Sequence, residues 1–190
     1  MQTRKQAPMT PELLCQIQEQ MTQGTLRDEA HAGHIRLTDS VEVRNEVAGE
    51  VVYVPPPAAQ LPELLKAFCT FANEELVSNS TKAGLFIHPV VRACILHFLI
   101  GYIHPFIDDN GRTARAVFYW YLLRQCYWLV EYMSISRIIH ELAIQYAKAY
   151  LHTENDANNL TYFINCQVKR LSQAFDSLQQ YIGRKVAEKK

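Results

Sequence analysis

The stretch that most limits how this chain can fold is Val90 to Ile103. Val90, Val91, Ala93, Cys94, Ile95, Leu96, Phe98, Leu99 and Ile100 make it apolar nearly all round, interrupted only by Arg92, His97 and Gly101. A helix that is hydrophobic on most sides must be covered by other elements, so the rest of the chain has to supply a shell for it. The stretch is shorter than the roughly 20 residues a membrane span needs, and it therefore reads as a buried central helix, with no membrane association expected. Pro89 suits its first turn. His104-Pro105 ends it, because a residue before proline is pushed out of helical geometry. His97 inside such a helix reads as a hydrogen-bonded core residue.

The covering elements are legible in turn. Thr10 is a good N-cap and Pro11 fits a first helical position, so Pro11 to Thr22 is predicted helical, with Leu14, Ile17, Gln18 and Met21 on one face. Leu61, Leu64, Leu65, Phe68 and Phe71 give Gln60 to Glu75 the same period. Thr113 to Leu123, Ser136 to Leu151 and Asn159 to Ile182 read as three further helices. Between Val41 and Val54 the text is β-branched around Asn45, Glu46 and Gly49, which predicts a short hairpin ended by Pro55-Pro56-Pro57. The expectation is one mainly α domain over 1–190, of about six helices with one small hairpin. The cluster Phe118, Tyr119, Trp120, Tyr121, Tyr127 and Trp128 reads as core.

Composition narrows the function classes. Hydrophobic residues make up 48% and charged residues 20% of 190, as in a packed protein and not a disordered one. Lys plus Arg equals Asp plus Glu at 19 each. That balance removes the blanket attraction that nucleic acid or anionic lipid would use, so no nucleic-acid partner is expected and any anion must be caught locally. The five cysteines are scattered, without a C-x-x-C pair, and the polar stretch 1–10 has no apolar signal region; both fit a cytoplasmic protein.

One segment departs from core-building logic: His104-Pro105-Phe106-Ile107-Asp108-Asp109-Asn110-Gly111-Arg112-Thr113-Ala114-Arg115. Asn110-Gly111 at the head of a helix offers backbone N–H groups where the helix already carries about half a positive charge. Arg112 and Arg115, three apart, share a face in the first turns, where cations are disfavoured unless an anion offsets them. Asp108 is a hard oxygen donor of the kind Mg²⁺ takes when phosphates and waters complete its shell. His104 is a titratable base in the same loop. Together they suit phosphoryl or nucleotidyl transfer. Other readings fit less well. Asp-Asn-Gly alone is a common turn, an EF-hand would need acidic residues where Phe106 and Val117 stand, and His140-Glu141 lacks the second histidine of a zinc protease.

The segment resembles the signature of Fic-domain proteins, H-x-F-x-[D/E]-G-N-G-R-x-x-R. His104, Phe106, Asp108, Asn110, Gly111, Arg112 and Arg115 fill their places, and Asp109 stands where glycine is usual. His31 to Arg36 (HAGHIR), Tyr53 to Pro57 and His88 to His97 are similar to further landmarks of the family, in order. The resemblance implies a helical bundle with a hairpin flap that binds ATP with Mg²⁺ and transfers AMP to a Ser, Thr or Tyr hydroxyl of a target protein. His104 would be the general base and Asp108 the metal ligand. The ATP phosphates would lie on Asp109, Asn110, Gly111, Arg112 and Arg115, and Phe106 would pack inward. The flap residues Val51, Val52 and Tyr53 would hold an extended target segment by strand addition.

The departure at Asp109 places a carboxylate where glycine would let backbone approach phosphate. It weakens nucleotide binding unless it turns outward or joins Asp108 on the metal. Many family members carry an inhibitory S/T-x-x-x-E-G/N helix, and this chain has no clean copy: Thr25-Leu26-Arg27-Asp28-Glu29 ends in Ala30. A partner or a separate regulatory segment could supply the glutamate. Two alternatives to adenylylation stand, a related phosphoryl or other-nucleotide transferase and an impaired partner-binding module. Apolar helix surface allows a homodimer, which no residue pattern specifies.

Overall fold

The computed structural model describes residues 7–26, 29–44, 49–74 and 86–188. The chain folds into two compact units, Met1–Tyr121 and Leu122–Lys190.

The first unit is built on the central helix. Helix α1 (Pro11–Thr22) starts at Thr10, whose hydroxyl accepts from the Leu13 N–H at 3.2 Å. Helix α2 (Leu61–Asn73) follows a short 3₁₀ turn, Ala58–Gln60, after the proline run. Asn73 joins the two helices, since its side chain accepts from Met9 N–H and donates to Met9 C=O, both at 2.7 Å. Helix α3 (Pro89–Ile103) buries Arg92, Ala93, Cys94, Leu96, His97, Phe98, Ile100 and Ile103. Burial on so many sides is what its composition requires. Its one buried arginine has a use: Arg92 donates to the Phe71 and Glu74 carbonyls at the end of α2 and lies 4.8 Å from the Phe71 ring centroid. A cation at a helix C-terminus satisfies carbonyls that have no intrahelical donor. Helix α4 (Asn110–Arg124) packs on α3 through the His97 and Phe118 rings, 6.0 Å apart edge to face.

The hairpin is shorter than expected. Strand β1 (Val43–Arg44) pairs antiparallel with β2 (Val51–Tyr53), and the turn at 45–48 lies outside the described residues. Gly33 shows why the segment before it needs a glycine. Its φ is +73°, and an added Cβ would sit 3.4 Å from Glu19 Cβ of α1, a left-handed conformation at close approach that side chains disfavour.

The second unit holds a 3₁₀ turn (Trp128–Tyr132) and helices α5 (Ile135–Glu141), α6 (Ala143–Asn155) and α7 (Thr161–Ala187). The single helix expected from Ser136 to Leu151 is thus two, broken at Leu142, whose φ and ψ of −124° and 34° leave helical space. The last helix starts two residues later and ends five residues later than its periodicity suggests. Phe163 of α7 is fully buried and meets Tyr146 and Tyr150 of α6 at 6.0 and 4.6 Å. Phe118, Trp120 and Tyr121 are core residues, but Tyr127 and Trp128 are 37% and 63% exposed, which corrects their assignment to the core. Both follow the end of α4, where the chain turns at the surface. Among the described residues no helix is long and apolar enough to cross a membrane.

Burial pulls the pKa of His97 from 6.5 to about 3, and the charge of Arg115 adds to the shift. Below pH 6.5 the unfolded chain therefore binds a proton that the folded chain refuses, so this contribution to stability is present above pH 6.5 and is lost as the pH falls toward 3. Denaturant unfolding should show a loss of about 2 kcal/mol between pH 6.5 and 5 from this group. His97→Gln should be less stable at pH 7 and show a shallower pH dependence; an unchanged slope would remove His97 as its source.

Candidate active site

The segment from 104 to 115 is a reversal between α3 and α4. Pro105 bars His104 from right-handed helical geometry, and His104 instead ends α3 in the left-handed region at φ 49°, with its N–H donating to Ile100 C=O at 3.0 Å. Phe106 is completely buried and forms an antiparallel bridge with Ile35. Asn110, 2% exposed, braces the turn: its carboxamide oxygen accepts from Phe106 N–H at 3.0 Å and its nitrogen donates to Phe106 C=O at 2.8 Å. Both halves of that side chain are engaged. Any contact of Asn110 with an anion therefore falls to its backbone N–H.

Arg36 holds the other side of the loop, a role that its place in the sequence does not announce. It is 2% exposed; its Nε donates to the His104 carbonyl at 2.8 Å, its terminal nitrogens donate to the Thr38 and Pro56 carbonyls, and its backbone N–H donates to Pro105 C=O at 2.9 Å. One buried guanidinium thus ties the histidine to the base of the hairpin. The available signal is a lone cation between Ile35 and Leu37, which says nothing of a partner 68 positions away.

The His104 ring is held in one tautomer. Its Nδ1 lies 3.0 Å from the Gly101 carbonyl. A carbonyl only accepts, so Nδ1 carries the proton and Nε2 keeps its lone pair. Burial lowers the pKa of the imidazole and the Arg36 charge does so further, while the Gly101 bond and Asp108 oppose them. The ring is neutral at neutral pH.

His104 lines a cleft of about 550 Å³ with Ile107, Asp108, Asp109, Asn110, Gly111, Arg112 and Arg115, and Val41 to Arg44 at the hairpin form its other wall. The expected catalytic, metal and phosphate residues thus share one cavity. Val51, Val52 and Tyr53 do not line it. Tyr53 instead donates its hydroxyl to the Tyr102 carbonyl at 2.9 Å and packs 5.8 Å from that ring, anchoring the hairpin two residues before the histidine.

At the head of α4 the first helical bond runs from Thr113 N–H to Asp109 C=O at 3.0 Å. The N–H groups of Asn110, Gly111 and Arg112 precede it and have no intrahelical acceptor, an arrangement suited to an anion. Gly111 leaves them accessible; the nearest atom to a Cβ there would be an Arg115 terminal nitrogen at 3.6 Å. Asp108 accepts from Asp109 N–H through Oδ1 at 2.7 Å and is exposed, which leaves Oδ2 for a ligand. A single carboxylate fits Mg²⁺ held mainly by phosphates and waters. No group of three or more metal-ligating side chains gathers among the described residues.

Asp109 sits at φ 64°, where glycine is favoured. Its carboxylate turns to Arg112, accepting from Nε at 2.7 Å through one oxygen and from a terminal nitrogen through the other. Arg112 also donates to Met21 C=O at 3.1 Å and to Thr25 Oγ1 at 2.8 Å. Within Thr25 to Ala30, the imperfect copy of the inhibitory pattern, Arg27 and Asp28 lie outside the described residues, and Glu29 is exposed.

Comparison with known proteins gives this geometry a context. Residues 8–122 match the profile of the Fic/DOC family. The chain is 33% identical over 95 residues to the protein adenylyltransferase Fic of Drosophila erecta, covering 50% of this chain and 18% of that one. To the protein of the same name from Drosophila grimshawi it is 36% identical over 108 residues, 54% of this chain and 21% of that one. It therefore spans about a fifth of the length of these relatives. In structure it is similar to a Fic family protein from Desulfovibrio desulfuricans G20, with a TM-score of 0.69 at 23% identity over 93% of this chain and 48% of the other. Fic-1 from C. elegans superposes with a TM-score of 0.66, also at 23% identity, over 99% of this chain and 47% of the other. These two structures share its fold, a helical body with a two-stranded hairpin, and the profile match spans more than half of the 190 residues: the chain is a member of the Fic/DOC family.

Proposed function

We propose that this chain is a protein adenylyltransferase, moving AMP from ATP to a Ser, Thr or Tyr hydroxyl of a target protein. The observation that carries the reading is the pairing, in one cleft, of a neutral His104 with its Nε2 lone pair available and a helix N-terminus whose first N–H groups await an anion.

In this reading the phosphates of ATP lie on the N–H groups of Asn110, Gly111 and Arg112, beside Arg115. The target hydroxyl oxygen attacks the α-phosphorus, and the bond from that phosphorus to the bridging oxygen breaks as pyrophosphate leaves. The hydroxyl proton passes to His104 Nε2. Mg²⁺, with Asp108 among its ligands, would neutralise charge on the outgoing pyrophosphate. Arg36 fixes the histidine by holding its carbonyl, and the Gly101 bond fixes the ring. A target segment laid along the hairpin as an added strand would bring its hydroxyl to the cleft.

The direct test is intact-protein mass spectrometry after incubation with ATP and Mg²⁺, on the chain alone and with a cell lysate. An AMP mass gain that disappears in His104→Ala, with ATP affinity changed less than about threefold, is the expected result for loss of a base. A phosphate gain would point to phosphoryl transfer instead. No gain together with no ATP binding would refute the reading. Arg115→Ala should weaken ATP binding by about tenfold or more, the scale of a lost charge-assisted bond. Arg36→Gln should lower kcat by about tenfold or more and leave the affinity for ATP nearly unchanged, since it loosens the base and not the phosphate site. Equal losses in both quantities would make Arg36 a general stability residue only.

A further inference from the structure

Helix α7 carries two stripes at helical spacing, and burial tells them apart. Phe163, Gln167, Arg170 and Ala174 are buried within the second unit. One position on, Ile164, Val168, Leu171, Phe175, Leu178 and Ile182 follow one another at steps of four, three, four, three and four, the spacing of a coiled-coil seam. This second stripe is open to solvent: Val168, Phe175 and Ile182 are 41%, 46% and 50% exposed, while Ile164, Leu171 and Leu178 are partly buried along its edge. In sequence the two stripes share one period, so only the structure shows which of them the fold already uses.

The end of the helix is left bare. Among the described residues of α7 none after Ala174 is buried, so about 20 Å of helix, at a rise of about 1.5 Å per residue, runs on in solvent. Gly183 lies within it, and a Cβ there would meet nothing within 4 Å; a glycine inside a helix weakens it. A helical segment of that length is marginal in water and takes most of its stability from packing an apolar face.

The make-up of the stripe selects what covers it. Val168 and Ile182 are β-branched at the first core position of the seam, and Leu171 and Leu178 stand at the second, an arrangement that favours two strands when helices run parallel. The flanking positions are Asn165, Gln167, Ser172, Ala174, Gln179 and Tyr181, with no charge among them. Two copies therefore meet without like-charge repulsion, whereas an acidic or basic partner finds no counter-charge beside the seam. Phe175 and Tyr181, each about half exposed, leave roughly 200 Å² of side-chain surface to cover. The whole stripe offers on the order of 500 Å² per copy, about 1,000 Å² for a pair, which is the lower limit for a specific interface.

We propose that this stripe is a self-association surface: α7 pairs in parallel with α7 of a second copy of the chain, along Ile164 to Ile182, in a two-stranded seam. The interface is isologous, so each seam residue meets its own counterpart. Lys185 stands at the next core position and ends the seam, because its charge is costly to bury. The proposal is independent of the nucleotide reading of the cleft.

Analytical ultracentrifugation of the full chain tests this. The wild type should pass from monomer to dimer as the concentration rises from about 1 to 100 µM, the range expected of an interface at the lower size limit. Phe175→Glu changes an exposed side chain, and a cooperative thermal transition checks its fold. It should raise the dissociation constant about tenfold or more, the scale of a central aromatic lost from an interface. Gln180→Glu, on the opposite face of α7, should leave the constant within about threefold. Ile182→Cys should cross-link to a covalent dimer under mild oxidation beyond the level of the wild type, whose cysteines all lie outside the seam. A dimer that Phe175→Glu leaves unchanged, a trimer or larger assembly, or a persisting dimer in which Ile182→Cys does not cross-link would each overturn the proposal. A monomer at every concentration would overturn it too and leave the stripe to a different protein.

Discussion

A loop that reverses direction inside a protein must find partners for its backbone, and between α3 and α4 two buried side chains supply them. Arg36 takes the His104 carbonyl, and Asn110 takes both the N–H and the C=O of Phe106. A buried polar group left without a partner costs about 1–3 kcal/mol, against a whole-domain stability of about 5–15 kcal/mol. The reversal stands or falls with these contacts. So does everything that uses it: the direction of the His104 ring, the start of α4 and the seat of Phe106.

The sequence makes some of this plain and hides the rest for physical reasons. Helices α1, α2 and α3 are readable because their signals are local: a threonine cap, prolines in the first turn, and an apolar period that burial then respects. The cleft is readable because its chemical residues lie within twelve positions, so the turn alone brings them together. The role of Arg36 is not local, and no spacing rule connects it to a carbonyl 68 residues on. The break at Leu142 carries no proline or glycine; the local text there is helical, and only packing distinguishes two helices from one. The partner of Asp109 lies between these cases. Asp109 and Arg112 are three apart and so can pair on a helix, but a carboxylate beside Asp108 could equally face a metal, and the backbone angle decides between them.

His97 and Arg115 show how the core serves the site. A buried imidazole that stays neutral puts no second positive charge behind the arginine, so Arg115 carries its charge at the cleft without a repelling neighbour from the core. The apolar helix that dictates the fold therefore also sets the electrostatics of the surface above it. Fold and chemistry share the same residues here.

Among the described residues the hairpin has five residues in two strands, and a two-stranded ribbon of that size is marginal without further pairing. Side chains along an extended strand alternate between faces. In the proposed reading, a target laid against this ribbon would therefore present every second residue to His104. Sliding by two positions would exchange one hydroxyl for another with all backbone bonds re-formed, whereas sliding by one would turn every side chain away. Neighbouring hydroxyls in a target would then differ sharply as acceptors, while alternate ones would compete, and a single target strand would carry its modification sites in steps of two.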